Sequence, residues 1–343
     1  MRFWQLIALG LIFISLTFLY FFKQRPMTQE MAKVFITLLP EIKENRPDYI
    51  CAFSRTDSNK KLELRKTKDG WEVRVRQEQH DFWAPAKGKK VEKLIKDLSD
   101  FTGELRSSSK KYLGDFGLAQ GQGLEIVLKR DGREITRIVV GKKGPSWGTS
   151  FVKRDDSSRV FLVSRDLLGD FDIWANEIKG PIEIRPWIDL VVIPNTSIDV
   201  EECRFESESV KWGLSRQKDD KKVRKDRWAL TLNGKKQLIS QDDAKKILNQ
   251  FFPLYAKDVL PKEWLKALDE RTRFVYKIRN GEEHSVFIHG CQEKEDYCML
   301  KNETGYVFKV DRSILSRLKS PDSVLKKEPK KGEKQGLMKN GQG

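Results

Sequence analysis

The stretch LEIVLKRDGREITRIVVG, residues 124–141, decides the fold. Apolar residues crowd on both sides of Asp131-Gly132, and Asp-Gly is a preferred two-residue hairpin turn because both central positions take positive φ. The stretch RFVYKIRNGEEHSVFIHG, residues 273–290, repeats the design: a strand, Asn280-Gly281, a strand and a closing glycine, Gly290 standing as far after its turn as Gly141 does. A chain that writes one hairpin twice is read first for internal repeats.

Outward from this hairpin the echoes continue. Cys51-Ala52-Phe53 returns as Cys203-Arg204-Phe205, and Trp71-x-Val73-x-Val75 as Trp228-x-Leu230-x-Leu232, alternating as half-buried strands do. Val160 to Val163 returns as Val307 to Val310, each followed by a short helical stretch, around Leu167 and Ile314. Between the hairpins of each copy lies one amphipathic helix. Val91, Leu94, Ile95, Leu98 and Phe101 recur at helical spacing in the first, and Ala244, Ile247, Leu248, Phe251 and Tyr255 in the second. Ser240, with Asp243 three residues on, reads as the second helix's N-cap. Each copy therefore reads as three strands, a helix, four strands in two hairpins and a short helix. The expected class is α+β: an N-terminal transmembrane helix followed by two tandem antiparallel-sheet-plus-helix repeats.

Gly180, Pro181 and Pro186 punctuate the junction, so the expected organisation is an anchor over 1–25, repeats over 26–180 and 181–318, and a disordered basic tail over 319–343. The second copy inserts a basic loop, Lys218 to Arg227, where the first has a tight Lys68-Asp69-Gly70 turn. The anchor rests on the apolar run Phe3 to Phe22, which as a helix would span roughly 30 Å. Trp4 and Tyr20 to Phe22 stand at its ends, where aromatic rings favour the membrane interface. The expected localisation is the inner membrane, single-pass, with the body outside the cytoplasm. Lys23, Arg25 and Lys33 after the run weigh against that orientation.

Lys and Arg total 66 against 50 Asp and Glu, a net charge of +16, and 38% of the 343 residues are hydrophobic. That is too apolar for a disordered chain, and basic enough for polyanionic partners such as anionic lipid or envelope polymer. The positive charge is spread along the chain and not gathered on a recognition helix, so no nucleic acid is expected.

Few motifs carry chemistry. Cys291 and Cys298 bracket a strand connection and are the candidate disulfide; free thiols, or a metal shared with His289, stay open. Gly144-Pro145-Ser146-Trp147-Gly148 matches a nucleophile elbow as text, but a strand and not a helix follows it, so Ser146 is read as a loop residue. Gly117, Gly121 and Gly123 precede a strand, which excludes a phosphate-cradling loop. No catalytic residue, cofactor site or metal site is expected.

Several short motifs resemble a known family. They are Gly70-Trp71, Ala84-Pro85-Ala86, Leu113-Gly114-Asp115-Phe116-Gly117-Leu118, Ile138-Val139-Val140-Gly141, Phe151 to Arg154 and Val160 to Val163. The family is the domain of unknown function DUF4340, and the resemblance covers roughly residues 30 to 318. It implies single-span proteins with a tandem-repeat body outside the cytoplasm, associated with ABC-type transporter and gliding-motility gene clusters, and it implies no catalytic residues. The resulting expectation is a non-enzymatic binding or scaffold subunit whose partners are integral-membrane transporter or motility-complex proteins. The alternatives are a membrane-tethered hydrolase acting on an envelope substrate, or a structural protein binding anionic envelope polymer.

Overall fold

The structure, a computed structural model, describes residue 4 and residues 13–18, 35–77, 79–154, 157–217, 227–265, 272–289 and 296–325. The chain divides into two units, Met1–Asp189 and Leu190–Gly343.

The first unit runs β1 (Phe35–Thr37), α1 (Glu41–Glu44), β2 (Tyr49–Ser54), β3 (Asp57–Thr67), β4 (Gly70–Gln77), β5 (His80–Pro85), α2 (Gly88–Ser99), β6 (Thr102–Ser107), β7 (Leu124–Arg130), β8 (Arg133–Lys143), β9 (Ser150–Arg154), β10 (Val160–Val163) and α3 (Leu167–Asp170). Its ten strands form one antiparallel sheet, ordered β5-β4-β3-β2-β7-β8-β9-β10-β6-β1. The second unit runs β11 (Val191–Ile193), β12 (Val200–Glu206), β13 (Lys211–Gln217), β14 (Arg227–Leu232), β15 (Lys235–Ile239), α4 (Gln241–Leu248), β16 (Leu254–Tyr255), β17 (Asp258–Leu260), β18 (Arg273–Ile278), β19 (Glu283–His289), β20 (Tyr297–Asn302), β21 (Val307–Asp311) and α5 (Ser313–Lys319). Its large sheet is ordered β15-β14-β13-β12-β18-β19-β20-β21-β17, and β11 pairs with β16 apart from it. With β12 to β15 standing for β2 to β5, β17 for β6 and β18 to β21 for β7 to β10, the two orders coincide.

Alternation builds each core. Ala84, Val73, Leu64, Ile50 and Leu128 lie side by side across five strands, all buried on one face. In the second unit Leu230, Leu214, Cys203 and Tyr276 form the matching row. Helix α2 buries Val91, Leu94, Ile95 and Leu98 and packs on β4; α4 buries Ala244, Ile247 and Leu248 and packs on β14. Ser240 Oγ accepts from Asp243 N at 3.1 Å, satisfying one of the helix's orphan donors.

The expected fold class needs correcting. The described residues are mostly β, 46% strand and 21% helix, in three antiparallel sheets. Each unit has five strands before its helix where the pattern gave three, β1 to β5 and β11 to β15, and adds β6 in the first unit and β16 and β17 in the second between the helix and the paired hairpins. Strand β6 escapes the alternation rule because Gly103 sits within it. A Cβ there would lie 2.9 Å from Phe161 Cβ and 3.0 Å from Leu38 Cδ1, so close approach of neighbours, not a side-chain pattern, defines the strand.

The anchor is corrected too. Among the described residues no helix is long and apolar enough to cross a membrane, which overturns the N-terminal transmembrane helix and the single-pass inner-membrane placement. Of the apolar run, Trp4 and Phe13 to Phe18 are described, and they are helical. The rest of 1–25 lies outside the described residues, as do 218–226 of the basic loop and 326–343 of the tail. Residues 319–325 are ordered where a disordered tail was expected: Pro321 is buried and its carbonyl accepts from Gln250 Nε2 at 3.0 Å.

Two alignments of the repeat also change. Leu64 pairs with Ile50 and Leu214 with Cys203, so Cys203 corresponds to Ile50. Cys51 sits one residue on, facing the other side of its sheet beside Glu63 and Val127. The two turns differ as well. Asp131 and Gly132 both take positive φ (50° and 76°), as the two-residue hairpin requires, whereas in the second copy only Gly281 does (91°). There the Asn280 carboxamide accepts from Glu282 N at 2.9 Å and makes a wider, side-chain-closed loop.

Candidate functional site

Cys298 is buried on β20 opposite Val310, while Cys291 lies outside the described residues, so the candidate disulfide between them extends beyond what the structure describes. Cys51 and Cys203 are free thiols. Burial pushes both thiols above their ordinary pKa, Cys203 furthest because it is wholly enclosed. His289 is buried at the end of β19, and His284 stacks on Tyr276 at 5.1 Å with its Nδ1 3.2 Å from Glu303. Among the described residues no cluster of three metal-ligating side chains forms.

The outer face of the first sheet concentrates charge. Glu63, Glu72 and Glu125 are buried there, each held by arginine. Tyr49 donates to Glu63 at 2.6 Å, and Arg74 makes a two-pronged pair with Asp81 at 2.8 and 2.7 Å. Desolvation, then the bond to Glu63, pushes the Tyr49 phenol far above its ordinary pKa. Such partly buried networks contribute little net stability, since desolvation offsets the Coulomb gain. On this face the buried carboxylates are answered by arginines of the same sheet.

The β8–β9 connection behaves differently. Gly144 N donates to Thr149 O at 2.9 Å, and Thr149 Oγ1 donates to Ser146 O at 2.6 Å, closing a tight loop across its base. Glycine at 144 lets the Thr149 and Leu162 side chains pack close, since a Cβ would lie 2.3 Å from Thr149 Oγ1 and 2.6 Å from Leu162 Cδ1 and would force them to shift. Gly148, at φ 73°, turns the chain back. The side chain between them, Trp147, is 95% exposed. At the root of this loop Lys143 N donates to Asn176 O at 2.8 Å, and Lys143 Nζ pairs with Asp166 at 3.0 Å while lying 5.8 Å from the Trp174 ring centre. Trp174 is 74% exposed. Asp166 in turn caps α3 by accepting from Gly169 N at 2.9 Å. Two exposed indoles thus belong to segments that meet at Lys143. Indoles are the side chains that contribute most to protein contacts when covered, and they waste the most apolar surface when bare.

Ser146 stands in this loop between two strands of a hairpin. An elbow needs a helix directly after the serine so that main-chain N–H groups meet the oxyanion, and the element after Ser146 is β9. The glycines and the Pro-Ser pair were legible as loop chemistry. The exposure of Trp147 was not, because a tryptophan in a 38%-hydrophobic chain reads as core until the hairpin around it is drawn.

A family model, domain of unknown function (DUF4340), matches residues 79–272, more than half of the chain. The matched segment opens at β5 of the first unit and closes just before β18 of the second, so it contains α2, the Trp147 loop and α4. No curated protein and no solved structure matches the chain. With the motifs quoted above falling inside or beside the matched span, the chain belongs to the DUF4340 family.

Proposed function

We propose that this protein is a non-enzymatic binding or scaffold subunit that grips another protein through the Trp147 and Trp174 surface of its first unit. The observation that carries the reading is the build of the loop: two internal hydrogen bonds and a closely packed glycine hold one indole almost wholly in solvent. A braced loop loses little conformational freedom on binding, so the apolar area it offers converts efficiently into affinity. The family resemblance supports a transporter or motility-complex component as the partner.

The test is site-specific photo-cross-linking in the native host. A benzoylphenylalanine at position 147 is expected to form one dominant adduct with a transport or motility protein, and one at Lys235, on the edge strand β15, is expected to form none. The double substitution Trp147→Ala, Trp174→Ala should abolish co-purification of that partner while leaving the circular dichroism unchanged. Equal adducts from both positions, or co-purification that survives the double substitution, would overturn the reading. Turnover of an envelope substrate by the purified chain would replace it with the hydrolase.

A further inference from the structure

The duplicated fold allows one copy to be read as a template for the other. In the first unit Trp71 donates its indole N–H to Glu92 Oε1 at 2.9 Å. Lys66, the strand partner of Trp71, lies 3.5 Å from the same oxygen, and Arg46 pairs with the other. A helix carboxylate is therefore clasped by an indole N–H and two cations at the junction of α2 with β3 and β4.

The second unit keeps the clasp and loses the carboxylate. Trp228 takes the place of Trp71, and its strand partner is Arg216 where Trp71 has Lys66. Aligning the buried Val91, Leu94 and Ile95 with Ala244, Ile247 and Leu248 brings Lys245 to the position of Glu92. The group that fills the site in the first copy is thus replaced by one of opposite charge. A cavity of about 270 Å³ opens there, lined by Arg216, Lys245 and Arg279 with Trp228, Ser197 and Gln241, and closed on its apolar side by residues that include Leu248. Among the described residues no acidic side chain lines it. The neighbouring Asp199 spends its carboxylate on Thr196, accepting from N at 3.0 Å and from Oγ1 at 2.6 Å. Among the described residues Arg279 lends its charge to Asp199 without a direct side-chain ion pair, Lys245 makes no ion pair, and no group accepts from the Trp228 indole.

We infer that this cavity binds a carboxylate-bearing ligand, whose carboxylate takes the place that the Glu92 carboxylate occupies in the first copy. Lys245 and Arg279 supply the charge-assisted hydrogen bonds and the indole N–H a directed donor, with the Arg216 charge beside them. The apolar wall admits a short aliphatic stem, as on a small dicarboxylic acid or an acidic side chain. The site is separate from the Trp147 surface, so the two readings fail independently.

The test is isothermal titration calorimetry on the full chain with three probes: glutarate, a hexaglutamate peptide and inorganic phosphate. Saturable binding of glutarate identifies a free organic acid; binding of the peptide alone identifies an acidic segment of a protein. Lys245→Glu rebuilds the arrangement of the first copy and should weaken the binding about tenfold or more, on the scale of one charge-assisted pair lost and a like charge added. Lys245→Arg should retain it. Circular dichroism and the thermal midpoint of both variants serve as the folding check, and the Arg variant alone must keep its affinity if the Glu variant misfolds. The inference is overturned if neither carboxylate probe saturates, if phosphate binds more tightly than both, or if Lys245→Glu folds and binds as tightly as the native chain.

Discussion

Replacing Trp212 by Phe tests the account of the second core. Trp212 is buried among Phe205, Phe251 and Phe274, with ring centres 6.5, 5.8 and 6.0 Å away, and its indole N–H donates to Leu318 O at 2.6 Å. That carbonyl is in the last turn of α5, where no later N–H of the helix can reach it, so the indole closes the helix end and fastens it to β13. The substitution keeps an aromatic ring and removes the donor. A buried acceptor left without a partner costs about 1 to 3 kcal/mol. The missing part of the indole leaves a void of roughly 40 Å³, which at about 24 cal/mol per Å³ adds about 1 kcal/mol. A total near 2 to 4 kcal/mol lowers the melting midpoint of a unit of this size by about 4 to 16 °C. Calorimetry should find that decrease, and hydrogen exchange should find protection lost across Ser313–Lys319. A midpoint within about 1 °C of the native one, with α5 still protected, would mean that the indole bond is not made and that α5 is held by its apolar face alone.

Two further outcomes are expected. The Glu92 carboxyl is pushed up by burial, but the Trp71 indole and the Arg46 and Lys66 cations outweigh that effect and hold it below its ordinary value. A depressed carboxyl stabilises the fold above its unfolded pKa of about 4.3, and that stability fades as pH falls through the folded value. Carboxyl-detected NMR should therefore find Glu92 titrating higher in Trp71→Phe than in the native chain, and an unchanged titration would refute the clasp. Ser146 should not react with a fluorophosphonate probe; labelling that disappears in Ser146→Ala would restore the hydrolase reading.

Local rules reached some of this architecture and missed the rest for physical reasons. Asp131-Gly132, the Ser240 cap and the α2 face are short-range features, decided within a few residues, and they stand where the sequence put them; the α4 face holds through Leu248, but Phe251 is buried beyond the helix end and Tyr255 is an exposed residue of β16. Asn233-Gly234, with φ of 46° and 83°, carries the same signal as Asp131-Gly132 and marks the β14–β15 turn, yet it drew no attention because Lys235 to Gln237 beyond it are polar. That polarity belongs to an edge strand, where lysines discourage further pairing. The cysteine echo misled by one position, since a strand's faces alternate and a single-residue slip exchanges core for surface. The cavity beside Trp228 could not be read along the chain. It depends on β12, β13, β14 and α4 converging, and on a comparison with Glu92 that becomes meaningful only once the two strand orders are known to coincide.

That shared strand order also governs how each unit must assemble. Strands β2 to β5 and β7 to β10 are two meanders whose neighbours follow one another in the chain, and each can form from local contacts. The seam between them is β2 against β7, where Tyr49 meets Lys129 and Ile50 meets Leu128 across about 80 residues. Its counterpart joins Cys203 to Tyr276. The order therefore places the slowest event of folding at one ladder in the middle of each sheet. Until that ladder closes, β2 and β7 are both unsatisfied edges of apolar sequence, open to pairing with the equivalent strands of the other copy. A chain built from two such sheets, whose β2 and β12 present their apolar faces in the same phase (Ile50 and Ala52 against Cys203 and Phe205), carries an inherent risk of exchanging halves during folding.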